Sequence, residues 1–538
     1  MYAVKQNETL NPRITEHFST PFTQELLSSM NLSDDQIRQL VFGFTDDCES
    51  EVVRKAADLL RNAAKENRKI MICGDYDADG ICSTAMLVDL CQRLKLTVGF
   101  YIPDRLKEGY GTNESTVIAA LDKGYDFFVL VDNGVSTHQV NRRILEAGAQ
   151  LLIIDHHVIS EPVSADVLLH PDVLPKAYAS MCSSGLVYLL VRKLGLDSEK
   201  MLQLAGVATI GDMMPLWNYN RQLVIEALQS LNRSAILQIS SLLDKNGERY
   251  DEGLIAFQVV PKLNVVGRLA DRANVNQVVR YLLSDQKEEI LSVSTTIKQL
   301  NQLRRQLSAQ MYQQSKDQIT DDRLLIITHP QFHEGLVGIT AGQISKETGK
   351  PTIVLAQKQD SFKGSARSSS IDLHQLLSEA KEHLLHFGGH AQAAGLEIGS
   401  DQIDDFSRAV TASVNEMLEH TDEEVIEVLH LDPSIIGFKA VEEFERCAPF
   451  GQGFERPLIM LKNVRVIRPL SNGNRSFSKW LVSLGSEEGE VVMFSDCDDS
   501  IRTASLIDVI ATVTISRFSG RSKISLVAQK VSKSHGNV

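Results

Sequence analysis

Between Lys69 and Ile154 the chain alternates short apolar runs with longer segments of helical period, and few folds accept that pattern. The runs are Lys69–Cys73, Thr97–Ile102, Phe127–Val131 and Leu151–Ile154. The helical segments between them are Gly80–Leu94, Glu114–Lys123 and Thr137–Ala147. Strands that are apolar throughout are buried on both faces, and parallel strands need crossovers of roughly a dozen residues or more, which helices supply. The alternation therefore predicts an α/β domain built on a parallel sheet covered on both faces. In such a sheet the loops leaving the strand carboxyl ends gather in one crevice, where ligands bind.

Those loops are acidic. Gly74-Asp75-Tyr76-Asp77-Ala78-Asp79-Gly80 follows the first run directly. Carboxylates this close repel one another, and folding them together calls for a cation. An EF-hand also opens with this spacing, but its twelfth position, counted from Asp75, is Met86 where a bidentate Glu is needed. Its preceding element would also be a helix, not a strand. Asp132-Asn133-Gly134 ends the run Phe127–Val131, Asp155-His156-His157 ends Leu151–Ile154, and Gly211-Asp212 ends a later apolar helix. Singly, Asp132 also suits a turn, Asp155 a helix cap, and either histidine a partly buried hydrogen-bonded ring. Together, oxygen and imidazole donors without thiolate suit Mn²⁺ or Mg²⁺ better than a structural zinc. So many carboxylates suggest two ions with one bridging ligand, the arrangement that hydrolyses phosphoesters.

The rest of the chain reads as further modules. Residues 1–50 are polar and mostly helical, with a capping signal at Ser33-Asp34-Asp35, and a helix follows from Glu51 to Glu66. Helical text runs from Ser183 to about Leu283, and Gln286–Ile319 reads as one long bridging helix. A second α/β block begins at Leu324–Thr328 and runs to about His420. From Pro457 to Gln529 five short strands with turn signals predict a five-stranded barrel. The division expected is 1–50, 51–215, 216–320, 321–430 and 431–538. A net charge of −14 argues at first sight against a nucleic-acid partner. Residues 456–538, however, hold 12 Lys and Arg against 7 Asp and Glu, so positive charge is local. The seven scattered cysteines form no CxxC pair, the polar first residues lead to the expectation of no secretory leader, and the apolar runs fall short of the ~20 residues of a membrane span. A cytoplasmic protein without membrane contact is expected.

The motifs GDYDADG, VDNG, DHH and GDMMPL, in this order, resemble the DHH phosphoesterase superfamily. His333-Glu334-Gly335, Val337-Gly338-Ile339, Gly364–Ser368 and Gly388–Gly395 resemble its DHHA1 partner domain. Pro261–Leu269 (PKLNVVGRL) lies between them, and Pro449-Phe450-Gly451-Gln452-Gly453 precedes the barrel. The whole order, from about residue 50 to 535, is similar to the single-strand-specific DNA exonucleases of that superfamily. The resemblance implies a DHH parallel-sheet domain and a DHHA1 α/β domain joined by a long helix, followed by an all-β barrel of the oligonucleotide-binding (OB) kind. It also implies a metal-dependent enzyme that degrades single-stranded DNA from 5′ to 3′ into mononucleotides during recombination and repair. A single-strand-binding protein and a DNA helicase would be its partners. Two alternatives are a DHH phosphodiesterase for short oligonucleotides or cyclic dinucleotides, and a non-catalytic single-strand DNA-binding repair factor. Chain length and the basic barrel speak against the first; the retained acidic and histidine motifs speak against the second.

Carried over by position, the resemblance puts Asp77 and Asp132 on one ion, and Asp79, Asp132, His156 and Asp212 on the other, with Asp132 bridging. His157 would face the scissile phosphate as acid or electrostatic stabiliser. Asp155 would fix a histidine tautomer. Cys73 stands where many members carry His, so Asp75 or water would complete the first ion's ligands and Cys73 would be a small buried hydrophobe. Ser365, Arg367, Ser368 and Arg268 would hold backbone or 5′-terminal phosphate. Arg105 and Asn113 would border the crevice, and Gly388 and Gly389 would let a ligand approach while His390 reaches it. A helix C-cap is the competing reading of those two glycines. Ser183, Ser184 and Gly185 open a helix and suit a cap. On the barrel, Arg465, Arg468, Arg475, Lys479, Arg517, Arg521 and Lys523 form a positive face. Phe477, Trp480 and Phe518 are candidates for base stacking, although Trp480 in a strand suits a core equally. Phe454 stands where the family usually has a small polar residue.

Overall fold

The structure is a computed structural model that describes residues 2–6, 9–45, 48–245, 247–419, 426–470, 477–495, 497–518 and 521–534. A strand, β1 (Tyr2–Lys5), opens a region where helices are expected. It pairs in parallel with the segment Ile426–Leu431, a partner too distant in sequence for local pattern to show. The helices Pro12–His17, Pro21–Ser29 and Asp34–Phe42 follow. Ser33 caps the third with a full capping box: its hydroxyl accepts from the Gln36 N–H, and the Gln36 side chain accepts from the Ser33 N–H.

The expected parallel sheet forms from β2 (Lys69–Cys73), β3 (Thr97–Tyr101), β4 (Phe127–Val131), β5 (Gln150–Ile154) and β6 (Val167–Leu169). Its order is β3-β2-β4-β5-β6, with every neighbouring pair parallel. β6 is an addition to the sequence reading; at three residues it is too short to show a period. The chain leaves β2 toward β3 and then crosses back to β4 on the other side. That reversal makes the β2–β4 boundary the topological switch point, where crevices open in such sheets. The acidic loops after β2 and β4 sit there.

The bridging helix spans Lys287–Ser315 and ends in a 3₁₀ turn, Lys316–Gln318, close to the expected limits. Its 29 residues make a rod of about 43 Å. It packs on the helix Val260–Arg268 and on β7 (Leu325–His329). β7 continues the second α/β block with β8 (Thr352–Gln357), β9 (Ser361–Arg367), β10 (His386–His390) and β11 (Ala393–Gly399). The order is β10-β11-β9-β8-β7, and only the β7–β8 pair is parallel.

The last strands are β12 (Ile426–Leu431), β13 (Ile459–Pro469), β14 (Ser478–Leu484), β15 (Glu487–Met493), β16 (Leu506–Phe518) and β17 (Arg521–Lys533). β13-β14-β15-β17-β16 close into the expected five-stranded barrel through a β13–β16 pairing. β12 and β1 extend the sheet beyond β13, so the β structure begins before the expected boundary at 431. Trp480 is fully buried in the barrel core, together with Val482 and Leu484 on the same face of β14. It is therefore not a stacking platform: strand alternation turns it inward.

The chain divides into two compact units, one of Met1–Asp47, Pro215–Gln222 and Glu423–Val538, the other of Cys48–Met214 and Leu223–Asp422. The N-terminal helices thus share a core with the barrel, where Phe22, Leu26 and Leu27 join Phe444 and Trp480. Residues 1–50 do not stand apart as the sequence suggests, because the apolar face of those helices is covered by a late part of the chain. Among the described residues no helix is long and apolar enough to cross a membrane.

Candidate metal centre and phosphate cradle

The loop after β2 is built around one close approach. A Cβ at Gly80 would lie 2.5 Å from the Asp75 carbonyl oxygen, so glycine is required for the chain to fold back on itself. Asp77 then caps the helix Ala78–Arg93, accepting from the N–H groups of Asp79 (2.9 Å) and Gly80 (3.1 Å). The Asn264 side chain accepts from the Ala78 N–H at 2.6 Å. The Asp79 carboxylate receives the N–H groups of Ser183 and Ser184, both at 2.8 Å, at the start of the helix Ser183–Leu194. These two residues thus present a helix N-terminus to a buried anion, which goes beyond the cap expected of them. The Ser183 hydroxyl also donates to Asp132 Oδ1 at 3.0 Å.

Asp132 lies at φ +60°, left-handed for a residue with a side chain. Its N–H donates to the Ile154 carbonyl at 2.9 Å, and Asn133 ties the turn to the carbonyls of Cys73 and Val131. His156 Nε2 sits 3.3 Å from Asp132 Oδ1, 3.4 Å from Asp212 Oδ2 and 3.9 Å from Asp79 Oδ2. Three donor sets converge: Asp75, Asp77 and Asp132; Asp79, His156 and Asp212; Asp132, His156 and His157. Within each set the donor atoms lie within 4.8 Å of one another. Seven sequence-derived positions are therefore brought together, and an eighth, Asp155, joins them through His157.

The electrostatics divide these groups sharply. Burial first, and neighbouring carboxylates second, push Asp75, Asp77, Asp132 and Asp212 upward, Asp212 to about 9. Asp75 Oδ1 and Asp212 Oδ2 are buried and receive no hydrogen bond. Asp155 is the opposite. Burial opposes its ionisation, but the His157 ring at 2.7 Å, its charge and the N–H groups of Val135 and His157 together hold it at about 2. Burial lowers His156, which favours a neutral imidazole. For His157, burial is overcome by the Asp155 hydrogen bond and charge, and its affinity for a proton rises. Unpartnered buried oxygens beside a neutral imidazole fit hard divalent cations. Cys73 is buried and its thiol is pushed up to about 12 by burial, so it is a neutral small side chain as expected, not a thiolate.

Cations gather next to this centre. The Arg105 guanidinium lies over the Tyr76 ring at 4.8 Å. Burial, and then the charges of Arg105, Arg304 and Arg367, lower Arg268 to about 10. Burial, then Arg105, likewise lowers Arg367. Among the described residues none of these four arginines has a carboxylate partner; Arg367 donates to Ser365 Oγ and the Ala366 carbonyl, both at 2.7 Å, and Arg304 to Asn301 at 3.0 Å. Guanidinium groups held together without an anion suit a phosphate, as the resemblance implies for Arg268 and Arg367. Motif glycines permit the close packing behind it. A Cβ at Gly267 would lie 2.6 Å from the Tyr76 carbonyl oxygen, and one at Gly335 would lie 1.9 Å from that of Arg268.

Other expected phosphate ligands have local duties. Asn113 caps the helix Glu114–Asp122 through Thr116 and donates to Glu108, so both ends of its amide are engaged. Ser368 Oγ accepts from the N–H groups of Ser370 and Ile371 and staples a turn. Gly388 and Gly389 lie in β10 of a hairpin, which removes the C-cap reading; Gly389 has φ +143° and no room for a Cβ against Ala393. His390 is exposed at the end of β10. Sequence reasoning passed over Asn264, Arg304 and Tyr110. Asn264 sits inside PKLNVVGRL and Tyr110 between Arg105 and Asn113, whereas Arg304 is one of several polar residues on a long helix and carries no local signal.

On the barrel, Arg465, Arg468 and Arg517 are exposed, while Lys479 and Lys523 pair with Glu490 at 2.7 and 2.8 Å. Arg475, and the side chains of Arg521 and Phe518, lie outside the described residues. Phe477 is half-buried and Phe494, absent from the sequence reading, is 76% exposed. Trp217 and Phe450 pack around Phe454, which fills a buried aromatic position in place of a small polar residue.

Three family models match the chain: the DHH family, N-terminal domain over residues 69–211, the DHHA1 domain over 321–416, and the RecJ OB domain over 429–530. The single-stranded-DNA-specific exonuclease RecJ of Bacillus subtilis is 29% identical over 90% of this chain, and that of Dickeya dadantii is 30% identical over 75% of this chain and 77% of its own length. The chain spans less than two thirds of the Bacillus and Thermus thermophilus relatives, at 64% and 61% of their lengths. The crystal structure of Thermus thermophilus RecJ in complex with Mn²⁺ superposes with a TM-score of 0.83 at 25% identity, covering 99% of this chain and 80% of that one.

Proposed function

The chain belongs to the RecJ family, and from that premise we propose that it is a metal-dependent exonuclease releasing mononucleotides from the 5′ end of single-stranded DNA. The observation that carries this reading is the three overlapping donor sets, linked through Asp132 and His156, beside four arginines that have no carboxylate partner among the described residues. Asp75, Asp77 and Asp132 would hold one Mn²⁺ or Mg²⁺, and Asp79, Asp132, His156 and Asp212 a second. Two such ions activate water and stabilise the leaving oxygen of a phosphodiester. The protein's own share is orientation. Ser183 and Ser184 fix Asp79, Ser183 fixes Asp132, and Asp155 holds one His157 nitrogen so that the ring faces the reacting phosphate as acid or electrostatic stabiliser.

Arg105, Arg268, Arg304 and Arg367 would place the strand's phosphates, with Ser365 orienting Arg367 and His390 at the rim. Residues 51–215 then supply the metal ligands, and 216–320 and 321–430 most of the cations. The residues from 431 to 538 supply a surface for the strand. A place in DNA recombination and repair in the cytoplasm, alongside a single-strand-binding protein and a helicase, accords with this chemistry.

The test uses single strands labelled at the 5′ or 3′ end, with Mn²⁺ or Mg²⁺. The 5′ label should leave as a mononucleotide from the first turnovers, while the 3′-labelled strand shortens gradually. Much faster turnover of a dinucleotide or a cyclic dinucleotide would replace this reading with that of a short-substrate phosphodiesterase. Strand binding without cleavage would make the chain a binding factor.

A further inference from the structure

One loop carries both a phosphate-cradle cation and a contact to the shared metal ligand. Residues 103–113 run from the end of β3 to the helix Glu114–Asp122. Arg105 on this loop lies over Tyr76. Tyr110 on the same loop donates its hydroxyl hydrogen to the Asp132 carbonyl at 3.0 Å, and its oxygen faces the His157 ring nitrogens at 3.2 and 3.3 Å. The Tyr110 ring also meets the rings of Tyr76 and His157 edge-on. Gly109 and Gly111, both left-handed at φ +82° and +80°, flank it. The loop is held from within by one side chain. Glu108 accepts from the Tyr101 hydroxyl at 2.7 Å, the Asp104 N–H at 2.7 Å and the Asn113 amide at 2.9 Å, tying both loop ends to β3. Across the crevice, Lys363 donates to the Leu106 carbonyl at 3.4 Å.

This matters because Asp132 is held in an unfavourable backbone conformation. A left-handed aspartate persists where its surroundings over-determine it. Two of its restraints, the Ile154 carbonyl and the Ser183 hydroxyl, come from buried elements. The third comes from Tyr110, which is 45% exposed on a loop whose cation faces substrate.

We propose that Tyr110 and Glu108 are positioning residues, coupling the capture of a terminal phosphate by Arg105 to the setting of Asp132 and His157. Glu108 makes the loop a single body, so a phosphate drawn to Arg105 steadies Tyr110 against the Asp132 carbonyl. The inference rests on the exonuclease reading and deepens it: a 5′-phosphate speeds hydrolysis in addition to tightening binding.

The experiment compares the full chain with Tyr110→Phe, Glu108→Ala and Glu108→Gln on single strands bearing a 5′-phosphate or a 5′-hydroxyl. Tyr110→Phe keeps the ring and removes one hydrogen bond. Its kcat on the phosphorylated strand should fall about tenfold with KM within about twofold, and the kcat ratio between the two substrates should shrink toward one. Glu108→Ala should act in the same direction. Glu108→Gln should recover part of the loss, because its carbonyl oxygen still accepts from Tyr101 and Asp104. An unchanged kcat in Tyr110→Phe, or a raised KM at constant kcat, overturns the coupling and leaves Tyr110 as at most a binding contact. A wild-type chain that cleaves neither strand overturns the exonuclease reading as well, whereas an active wild type with an indifferent Tyr110→Phe overturns the coupling alone.

Discussion

Two carboxylates, one in each unit, meet opposite treatment. Glu443, in the unit that contains the barrel, accepts from the N–H and hydroxyl of Ser19 and the N–H and hydroxyl of Thr20. Burial resists its charge, yet the Thr20 and Ser19 donors prevail and hold it at about 2. Asp212, in the unit of the parallel sheet, has a buried oxygen with no donor and is pushed up to about 9 by burial and by Asp79 and Asp77. Glu443 is a finished staple between a helix and an N-terminal loop. Asp212 is unfinished, and what would complete it is a cation. The same contrast holds for Glu490 on the barrel, matched by Lys479 and Lys523, against Asp75, which has no donor for its buried Oδ1. In these two pairs the satisfied buried charge belongs to the architecture, and the unsatisfied one lies where a ligand would complete it.

The strongest way to break that contrast is Asp132→Ala. It removes a ligand shared by two of the three donor sets, so hydrolysis should fall roughly a thousandfold or more, while strand binding measured in the absence of turnover should persist. Appreciable remaining activity would show that the unsatisfied cluster is not where the chemistry happens. The next effect belongs to the other unit. Trp480→Ala should cost about 3–5 kcal/mol of stability, the usual loss for a large buried aromatic. Both tryptophans of the chain, Trp217 and Trp480, lie in the unit that contains the barrel, so fluorescence of Trp217 reports on the variant's unfolding. A loss under about 1 kcal/mol would mean that Trp480 is not a core residue.

A smaller effect separates the two kinds of carboxylate by pH. The folded Glu443 is depressed to about 2, below its ordinary value of 4.5. Its contribution to stability is therefore complete above about 4.5 and is lost as the pH falls toward 2. Glu443→Gln should lower stability at neutral pH and flatten that acid window, followed by denaturant unfolding read through tryptophan fluorescence. An acid window identical to that of the wild type would remove Glu443 as the staple.

Much of this was legible in local sequence, for identifiable reasons. β2, β4 and β5 are apolar runs, and the acids and histidines that follow them lie within six residues of the strand ends, so a parallel sheet brings them to one edge. The burial of Trp480 was equally open to the alternation of Trp480, Val482 and Leu484. What stayed hidden depends on partners far along the chain. β1 has no local pattern because its partner begins at Ile426. The anchoring of Asp79 uses backbone N–H groups, which every residue but proline carries and no motif can advertise. Tyr110, Asn264 and Arg304 became functional candidates only through what the topology set beside them. The total charge misled because it averages an acidic metal cradle with a barrel that is locally basic.

The smallest effect tests whether the barrel's exposed charge is used at all. Arg465 and Arg468 are exposed on β13, near the cross-strand neighbours Ser483 and Leu481 and away from the Glu490 pairs that occupy Lys479 and Lys523. A cation already paired inside the fold has little to offer a phosphate, whereas a free guanidinium exchanges bound counterions for it. The double variant Arg465→Ala/Arg468→Ala should weaken binding of long single strands by several-fold. It should also reduce the slope of log affinity against log salt by about 1.4, two contacts at roughly 0.7 each. Turnover of very short strands should be unchanged, since on the proposed reading they engage only the acidic cluster and the arginines beside it. The double variant is a sharper probe than cutting the chain after residue 456, which would leave β1, β12 and the N-terminal helices without the strands they pack against. An unchanged salt slope would mean that this face of β13 does not carry the strand, and the difference between the two units would then lie in their acids alone.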